Sequence, residues 1–179
     1  IASCLVGSEM CKETALYQDE NAIKNITEAK DNGIKVGVYF FSQAINTDEA
    51  IEEANYVKDI LGDIKLDYPV AYDWEIVKDD DARTDNVSAY EATECARAFC
   101  QTVESNGYTA SIYSPSRELY FKYDLSRLKD YDIWYCEYSD TPEFYYQFSM
   151  WQYTTAGKVD GIDGEVDLNI CFTGIADYA

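Results

Sequence analysis

The stretch YPVAYDWEIV, residues 68–77, joins a run of apolar residues to two carboxylates that stand one residue apart. The run predicts a buried strand with Asp73 and Glu75 at its carboxyl end. Side chains alternate along a strand, so we expect both carboxylates to point the same way and Trp74 to point to the other face. The functional face of parallel α/β folds lies at the carboxyl ends of the strands. The stretch therefore predicts a parallel sheet with a carboxylate pair at its functional edge.

Alternating helix and strand patterns surround this stretch. Helices are predicted over about 20–32, 48–61 and 90–105, with Asn46 or Thr47 capping the second helix and a Ser88–Glu91 capping box opening the third. Segment 116–131 predicts one or two short helical turns. The other strands are predicted at IKVGVYFFS, TASIYS, DIWYCEY, FSMWQYT and EVDLNIC.

The gaps before the last two strands are too short, and too rich in turn residues, to hold crossover helices. Residues 1–179 are therefore predicted to form a single α/β domain. Its expected architecture is an irregular, TIM-like (β/α) barrel, with βα units first and helix-free strands in the last third.

The chain of 179 residues contains no histidine. This excludes Ser-His-Asp and Cys-His catalysis and His-ligated zinc, so acid–base chemistry would fall to carboxylates, Tyr, Lys or Cys. The formal net charge of −20, from 34 acidic and 14 basic residues, disfavours nucleic acid and anionic membranes as partners. No apolar run approaches the ~20 residues of a membrane span, so membrane insertion is not expected. No metal site or cofactor is predicted.

Six cysteines occur, and none of them forms a CxxC pair. Cys95 and Cys100 are five residues apart on a predicted helix and do not share a face, so no disulfide is expected between them. Buried free thiols are the predicted state of the cysteines.

Two neighbouring carboxylates split their proton affinities, because the first negative charge opposes the second ionisation. The neutral carboxyl can donate a proton while the ionised one stabilises positive charge, a division of roles that suits cleavage of a glycosidic bond. A salt-bridged strand end and a Ca²⁺-binding strand end are the alternatives. Aromatic residues near the other strand ends could line a saccharide cleft or fill the barrel core: Tyr39, Phe41, Tyr113, Trp134, Tyr138, Trp151 and Tyr153.

Six blocks of the chain resemble glycoside hydrolase family 25, the Chalaropsis-type lysozymes, and occur in the same order. They are GIKVGVYFFSQA, YPVAYDWE, NGYTASIYS, DIWYCEYS, MWQYT and EVDLNI. The resemblance implies an irregular α/β barrel that cleaves the β-1,4 bond between N-acetylmuramic acid and N-acetylglucosamine in bacterial peptidoglycan. It also implies an extracellular or wall-associated place of action.

The resemblance assigns a role to each candidate residue. Glu75 matches the general acid, and Asp73 matches a carboxylate that stabilises the reacting centre or orients the 2-acetamido group of the substrate. Asp167 matches a further acid of the cleft. The aromatic residues implied in substrate binding are Tyr39, Tyr113, Trp134, Tyr138 and Trp151. Both an inverting route through water and an acetamido-assisted retaining route remain open.

The chain departs from the family at its beginning. Members open with a strand of the type G-[IV]-D-V-S, whose Asp lies in the cleft, and nothing here resembles it. IASCLVGSEM matches the second strand weakly, with Gly7 near its end. We therefore expect an N-terminally incomplete domain with an open sheet edge and weakened activity. A non-catalytic glycan-binding barrel is the alternative, and a chitinase-type enzyme is disfavoured because its D-x-x-D-x-D-x-E run is missing.

Overall fold

The computed structural model describes the backbone of residues 3–9, residue 16, and residues 18–76 and 81–172. Within these ranges the chain alternates strands and helices and then continues with strands alone. The strands are β1 (Ser3–Glu9), β2 (Lys35–Phe41), β3 (Val70–Asp73), β4 (Ala110–Pro115), β5 (Asp132–Cys136), β6 (Met150–Gly157) and β7 (Val166–Cys171). The α-helices are α1 (Ala22–Asp31), α2 (Thr47–Leu61), α3 (Ala89–Ser105) and α4 (Ser116–Phe121), followed by a 3-10 turn at Leu125–Arg127.

The seven strands form one sheet in which each strand pairs with the next along the chain. The ladders from β1 to β6 are parallel, and β7 runs antiparallel to β6. Between β5 and β6 the described chain forms no helix, as the sequence predicted. Six strands therefore bring their carboxyl ends to the same edge of the sheet.

Helix boundaries follow from local capping. Asn46 caps α2 by accepting a hydrogen bond from the backbone N–H of Glu49 at 3.0 Å, so Thr47 is the first helical residue. The helix ends at Gly62, whose φ of 56° lies in the left-handed region that favours glycine. At α3 the capping box is complete, because Ser88 and Glu91 each accept the other's backbone N–H.

The two faces of the sheet carry separate clusters of buried side chains. Val70, Tyr72 and Trp74 face the helices and belong to a large core in which Tyr72 packs on Phe99 at a ring distance of 5.0 Å. The other face carries a smaller cluster: Tyr68, Ala71, Tyr113, Trp134, Cys136 and Met150, with Tyr39 and Cys171 packed against it. Strand alternation thus separates a helix-packed core from a second face that holds the candidate site.

Most of the predicted architecture is confirmed. The mixed α/β order, the capping residues and the helix-free last third are as expected, and IASCLVGSEM contains β1. Closure into a barrel is not seen: no ladder joins β1 to β7 among the described strands, so these two strands are the edges of an open sheet. Val77, at the end of the quoted stretch, lies outside the described residues.

The cysteine prediction is confirmed in part where the structure describes the side chains. Cys95, Cys100 and Cys136 carry free, buried thiols, whereas Cys171 is half-buried and not fully buried as predicted. The side chains of Cys4 and Cys11 lie outside the described part of the chain. No helix in that part is long and apolar enough to cross a membrane.

Candidate active site

Asp73 is the last residue of β3 and lies on the face opposite the helices. It stands in register between Phe41 of β2 and Tyr113 of β4. Its side chain is buried, and Oδ1 has no hydrogen-bond partner among the described residues. A buried carboxylate without a cation is costly, so burial first, and the charge of Glu75 second, raise the pKa of Asp73 well above its ordinary value.

Glu75 lies two residues beyond Asp73, and the two carboxyl groups are hydrogen-bonded to each other. The intervening Trp74 is fully buried on the helix side, so the predicted alternation across Asp-Trp-Glu is confirmed. Among the described residues, no salt bridge involves either carboxyl.

Burial raises the proton affinity of both carboxyls, so the pair keeps a proton at higher pH than two ordinary carboxyls would. Burial raises the pKa of Glu75, but the hydrogen bond from Asp73 lowers it again, whereas both burial and the neighbouring charge raise the pKa of Asp73. Asp73 is also the more deeply buried of the two. An acid role for Glu75 therefore requires that Glu75 carries the proton of the pair when a substrate binds.

A third carboxyl influences the pair. Glu118, on α4, is only 6% exposed, and its charge raises the pKa of Glu75 further. Among the described residues it pairs with Arg117, whose Nη1 lies 3.8 Å from Oε1. The site therefore concentrates negative charge in a poorly solvated region, which favours keeping a proton there at neutral pH.

Aromatic residues form a wall beside Asp73. Tyr113 and Trp134 are neighbours in register on β4 and β5, and their rings meet edge to face with centroids 4.7 Å apart. Tyr39 on β2 is half-buried against the same cluster. The indole N–H of Trp134 donates to Oδ1 of Asn169 at 2.8 Å, which fixes the plane of the ring. These three predicted aromatics share the face of the carboxyl pair.

Gln152 connects the other predicted residues to this wall. Its Oε1 accepts hydrogen bonds from the hydroxyls of Tyr113 at 2.8 Å and Tyr138 at 3.3 Å. Its Nε2 donates to Oδ2 of Asp167 at 3.1 Å. Tyr138 is 59% exposed and Asp167 is also exposed, so both can be reached from solvent. The structure thus brings Asp167, Tyr113 and Tyr138 together around one buried amide.

Trp151 is not part of this group. It pairs in register with Tyr135 and packs in the helix-side core, with its indole N–H donating to the carbonyl oxygen of Glu137 at 2.9 Å. Residues in register on neighbouring strands share a face, and Tyr135 faces the helices. The structure therefore places Trp151 on the face opposite the carboxyl pair.

Several residues of the site were not singled out by the sequence: Gln152, Asn169, Glu118 and Cys136. A signal existed for Gln152, because a polar residue at the centre of a buried strand needs partners for its amide. Gln152 lies between two aromatic residues in MWQYT. The remaining three depend on pairing between distant strands and on the placement of α4.

A cavity of about 710 Å³ lies at the opposite end of β5 and β6, where Asp132 begins β5 and Ser149 precedes β6. It does not contact the carboxyl pair. In the described ranges no group of three or more Cys, Asp or Glu side chains is placed to hold a metal ion.

A sequence model of Glycosyl hydrolases family 25 matches residues 10–162 of the chain. An autolytic lysozyme of Clostridium acetobutylicum is 27% identical over 165 residues, which cover 91% of this chain and 47% of that protein. The chain thus spans about half the length of this curated relative.

Solved structures show the same fold. A bacterial lysozyme from Streptomyces coelicolor superimposes with a TM-score of 0.80 at 19% identity, over 99% of this chain and 84% of that one. The modular autolysin LytC from Streptococcus pneumoniae, in complex with a synthetic peptidoglycan ligand, superimposes with a TM-score of 0.77 at 25% identity, over 92% and 39% of the two chains.

Proposed function

The chain belongs to glycosyl hydrolases family 25, and we propose that it hydrolyses bacterial peptidoglycan at the β-1,4 bond between N-acetylmuramic acid and N-acetylglucosamine. The observation that carries the proposal is the buried Asp73 carboxyl, hydrogen-bonded to the half-buried Glu75 beside an aromatic wall. The similarity to an autolytic lysozyme and to an autolysin solved with a peptidoglycan ligand supports the choice of substrate. We place its action at the bacterial wall, outside the cytoplasm.

Glu75 acts as the general acid in this proposal. Its half-buried side chain can be reached by a substrate, and its raised pKa keeps a proton available at higher pH than for an ordinary glutamate. Protonation of the glycosidic oxygen requires that Glu75 carries the proton of the pair when the substrate is bound. A substrate that approaches Asp73 with an N–H group would stabilise the Asp73 carboxylate and so favour the proton on Glu75.

Asp73 orients the 2-acetamido group and stabilises the positive charge that develops during cleavage. A carboxylate accepts hydrogen bonds, so the ionised Asp73 side chain suits an acetamido N–H donor. The direct contact between the two carboxyls supports this role over that of a base. An inverting pair needs a separation of about 6.5–9.5 Å to hold the attacking water between its members. We therefore favour the retaining route, in which the acetamido oxygen of the substrate is the nucleophile.

The aromatic wall would bind the sugar rings. Pyranose C–H groups pack on aromatic faces, and Tyr39, Tyr113 and Trp134 present such faces beside the pair. The exposed Tyr138 and Asp167 would contact the substrate from the β6–β7 side. We also propose that the open sheet corresponds to part of the family's irregular, TIM-like barrel.

The glycan-binding alternative has less support. Binding alone gives no reason to bury Asp73 and partly bury Glu75 with raised pKa values, since such a pair costs stability when it ionises. A general acid requires that environment.

The proposed bond can be tested with purified peptidoglycan. Products are reduced with borohydride, hydrolysed and analysed for sugar alcohols by mass spectrometry. A muramidase yields muramitol in proportion to the bonds cleaved. Release of glucosaminitol alone, or of no new reducing end by a correctly folded chain, would contradict the proposal.

A further inference from the structure

Gln152 occupies the centre of a hydrogen-bond network on the site face. It is 4% exposed, and both ends of its amide are engaged. Three donors converge on Oε1: the hydroxyl of Tyr113 at 2.8 Å, the thiol of Cys136 at 3.2 Å and the hydroxyl of Tyr138 at 3.3 Å. Its Nε2 donates to Asp167 Oδ2 at 3.1 Å. One side chain thus connects β4, β5, β6 and β7.

The direction of each bond in this network is determined by Asp167. An ionised carboxylate accepts hydrogen bonds and cannot donate them, so the NH₂ group of Gln152 must face Asp167. The amide oxygen then faces the two tyrosines, and their hydroxyl protons point towards it. The lone pairs of the Tyr113 and Tyr138 oxygens are left to accept other hydrogen bonds.

The network lies next to the carboxyl pair. Burial is the main cause of the raised pKa values of Tyr113, Tyr138 and Cys136, and the charge of Glu75 contributes to all three. Asp73 adds to the effect at Tyr113 and Cys136, and Asp167 adds to it at Tyr138. The orientation of these groups therefore bears on the space where a substrate would meet Glu75.

We propose that Gln152 is a positioning residue for the cleft: it holds Asp167 in place and makes the hydroxyls of Tyr113 and Tyr138 acceptors for N–H or O–H donors of an N-acetylated sugar. This inference rests on the proposed function and extends it from the carboxyl pair to the opposite side of the cleft. The substrate class that fits is one with amide and hydroxyl donors.

The variant Gln152→Glu tests this proposal through its pH dependence. A protonated glutamic acid reproduces the amide, since its carbonyl oxygen accepts from the tyrosines and its O–H donates to Asp167. An ionised glutamate loses that donor and adds a charge beside Asp167. We expect kcat/KM within about threefold of the parent at about pH 4.5, and a loss of about 10- to 100-fold as the pH rises to about 7, as misplaced catalytic groups produce.

Two further variants separate positioning from folding. Gln152→Leu keeps the shape without either polar end, and we expect low kcat/KM at every pH. Gln101→Glu makes the same chemical change at an exposed position on α3, and we expect the pH profile of the parent. Thermal unfolding of each variant at both pH values shows whether any loss reflects unfolding.

The same variants are titrated with tri-N-acetylchitotriose by calorimetry, so that the proposal can be tested without turnover. If the parent binds this sugar but does not cleave walls, the proposed function fails. In that case the role of Gln152 is still supported if Gln152→Glu binds the sugar more weakly at about pH 7 than at about pH 4.5. A Gln152→Glu variant that follows the parent at all pH values would overturn the inference. So would equal losses in both Gln152 variants at every pH, and so would a parent that neither cleaves nor binds.

Discussion

Asp73 of β3 and Tyr113 of β4 stand side by side in register, and both side chains are almost completely buried on the face away from the helices. The tyrosine ring takes space that water would need to solvate an aspartate. Because no cation among the described residues compensates for the charge, burial raises the pKa of Asp73 well above its ordinary value, and the charge of Glu75 raises it further. The strand register therefore places a proton donor beside an aromatic wall.

Removing the charge of Glu118 should shift the pH dependence of the activity. This charge raises the pKa of Glu75, in addition to the effect of burial. The variant Glu118→Gln should lower that pKa, so the alkaline limb of the kcat/KM profile moves to lower pH. The rate well below the pKa, where Glu75 is protonated in both proteins, should stay close to that of the parent. The measurement is the kcat/KM profile on a soluble peptidoglycan fragment.

Glu94→Gln is the matched control for this prediction, because Glu94 lies on α3 and pairs with Arg97 and Arg127. It should leave the alkaline limb in place. If the alkaline limb of Glu118→Gln stays at the pH of the parent's limb, or moves to higher pH, then Glu118 does not act on the catalytic proton.

The two indoles at Trp134 and Trp151 offer a matched comparison of the two faces. Each side chain is 5% exposed, and each donates one hydrogen bond. Trp134 donates to Oδ1 of Asn169, and Trp151 donates to the carbonyl oxygen of Glu137. Phenylalanine at either position should lower the free energy of unfolding by about 1 kcal/mol or more, through the lost bond and lost ring volume. Only Trp134→Phe should also raise KM, because only Trp134 lies beside the carboxyl pair.

Urea unfolding and steady-state kinetics on both tryptophan variants check this prediction. If Trp151→Phe raises KM as much as Trp134→Phe does, at equal stability, the assignment of the substrate to the Trp134 face is wrong.

Glu53 makes the stability depend on pH. It is 1% exposed in α2 and accepts hydrogen bonds from the Ser42 hydroxyl at 2.6 Å and the Gln43 N–H at 3.2 Å. Burial raises its pKa from the ordinary 4.5 to about 7. A raised pKa means that the folded state binds the proton more tightly than the unfolded state. The stabilisation is therefore complete below about pH 4.5 and is lost as the pH rises through about 7.

Each pKa unit corresponds to about 1.4 kcal/mol, so the loss at this one residue amounts to roughly 3 kcal/mol. Glu53→Gln should abolish this part of the pH dependence, and urea unfolding at about pH 4.5 and pH 7.5 measures it. Equal pH dependence in parent and variant would contradict the prediction. Ser42 also donates its backbone N–H to the Asp73 carbonyl at 2.6 Å, so this contact lies directly behind the site.

Local patterns in the sequence predict much of this molecule. Caps at Asn46 and Ser88 define where α2 and α3 begin, and alternation at Asp73, Trp74 and Glu75 places the two carboxylates together. These features depend on residues within a few positions of each other, where backbone geometry is decisive.

Other features depend on contacts between distant segments. A parallel strand is buried on both faces, so apolar pattern alone does not reveal which face Trp151 occupies. From its charge alone, Glu53 would be predicted to lie on the surface of α2. Its burial depends on the β2–α2 turn, where Ser42 and Gln43 donate hydrogen bonds to it. The role of Gln152 needs the register of four strands. The raised pKa of Asp73 follows from the depth of burial, which the neighbouring residues of the sequence do not specify.

The most direct test of the central claim is the rate at which Glu75→Gln releases muramic acid reducing ends from purified peptidoglycan. Glu104→Gln, at an exposed position on α3, is the matched control. We predict that Glu75→Gln keeps the parent's unfolding temperature and loses about 100-fold or more of the rate, as expected for removal of a general acid, while Glu104→Gln retains the parent rate. Release by Glu75→Gln at the parent rate would contradict the account.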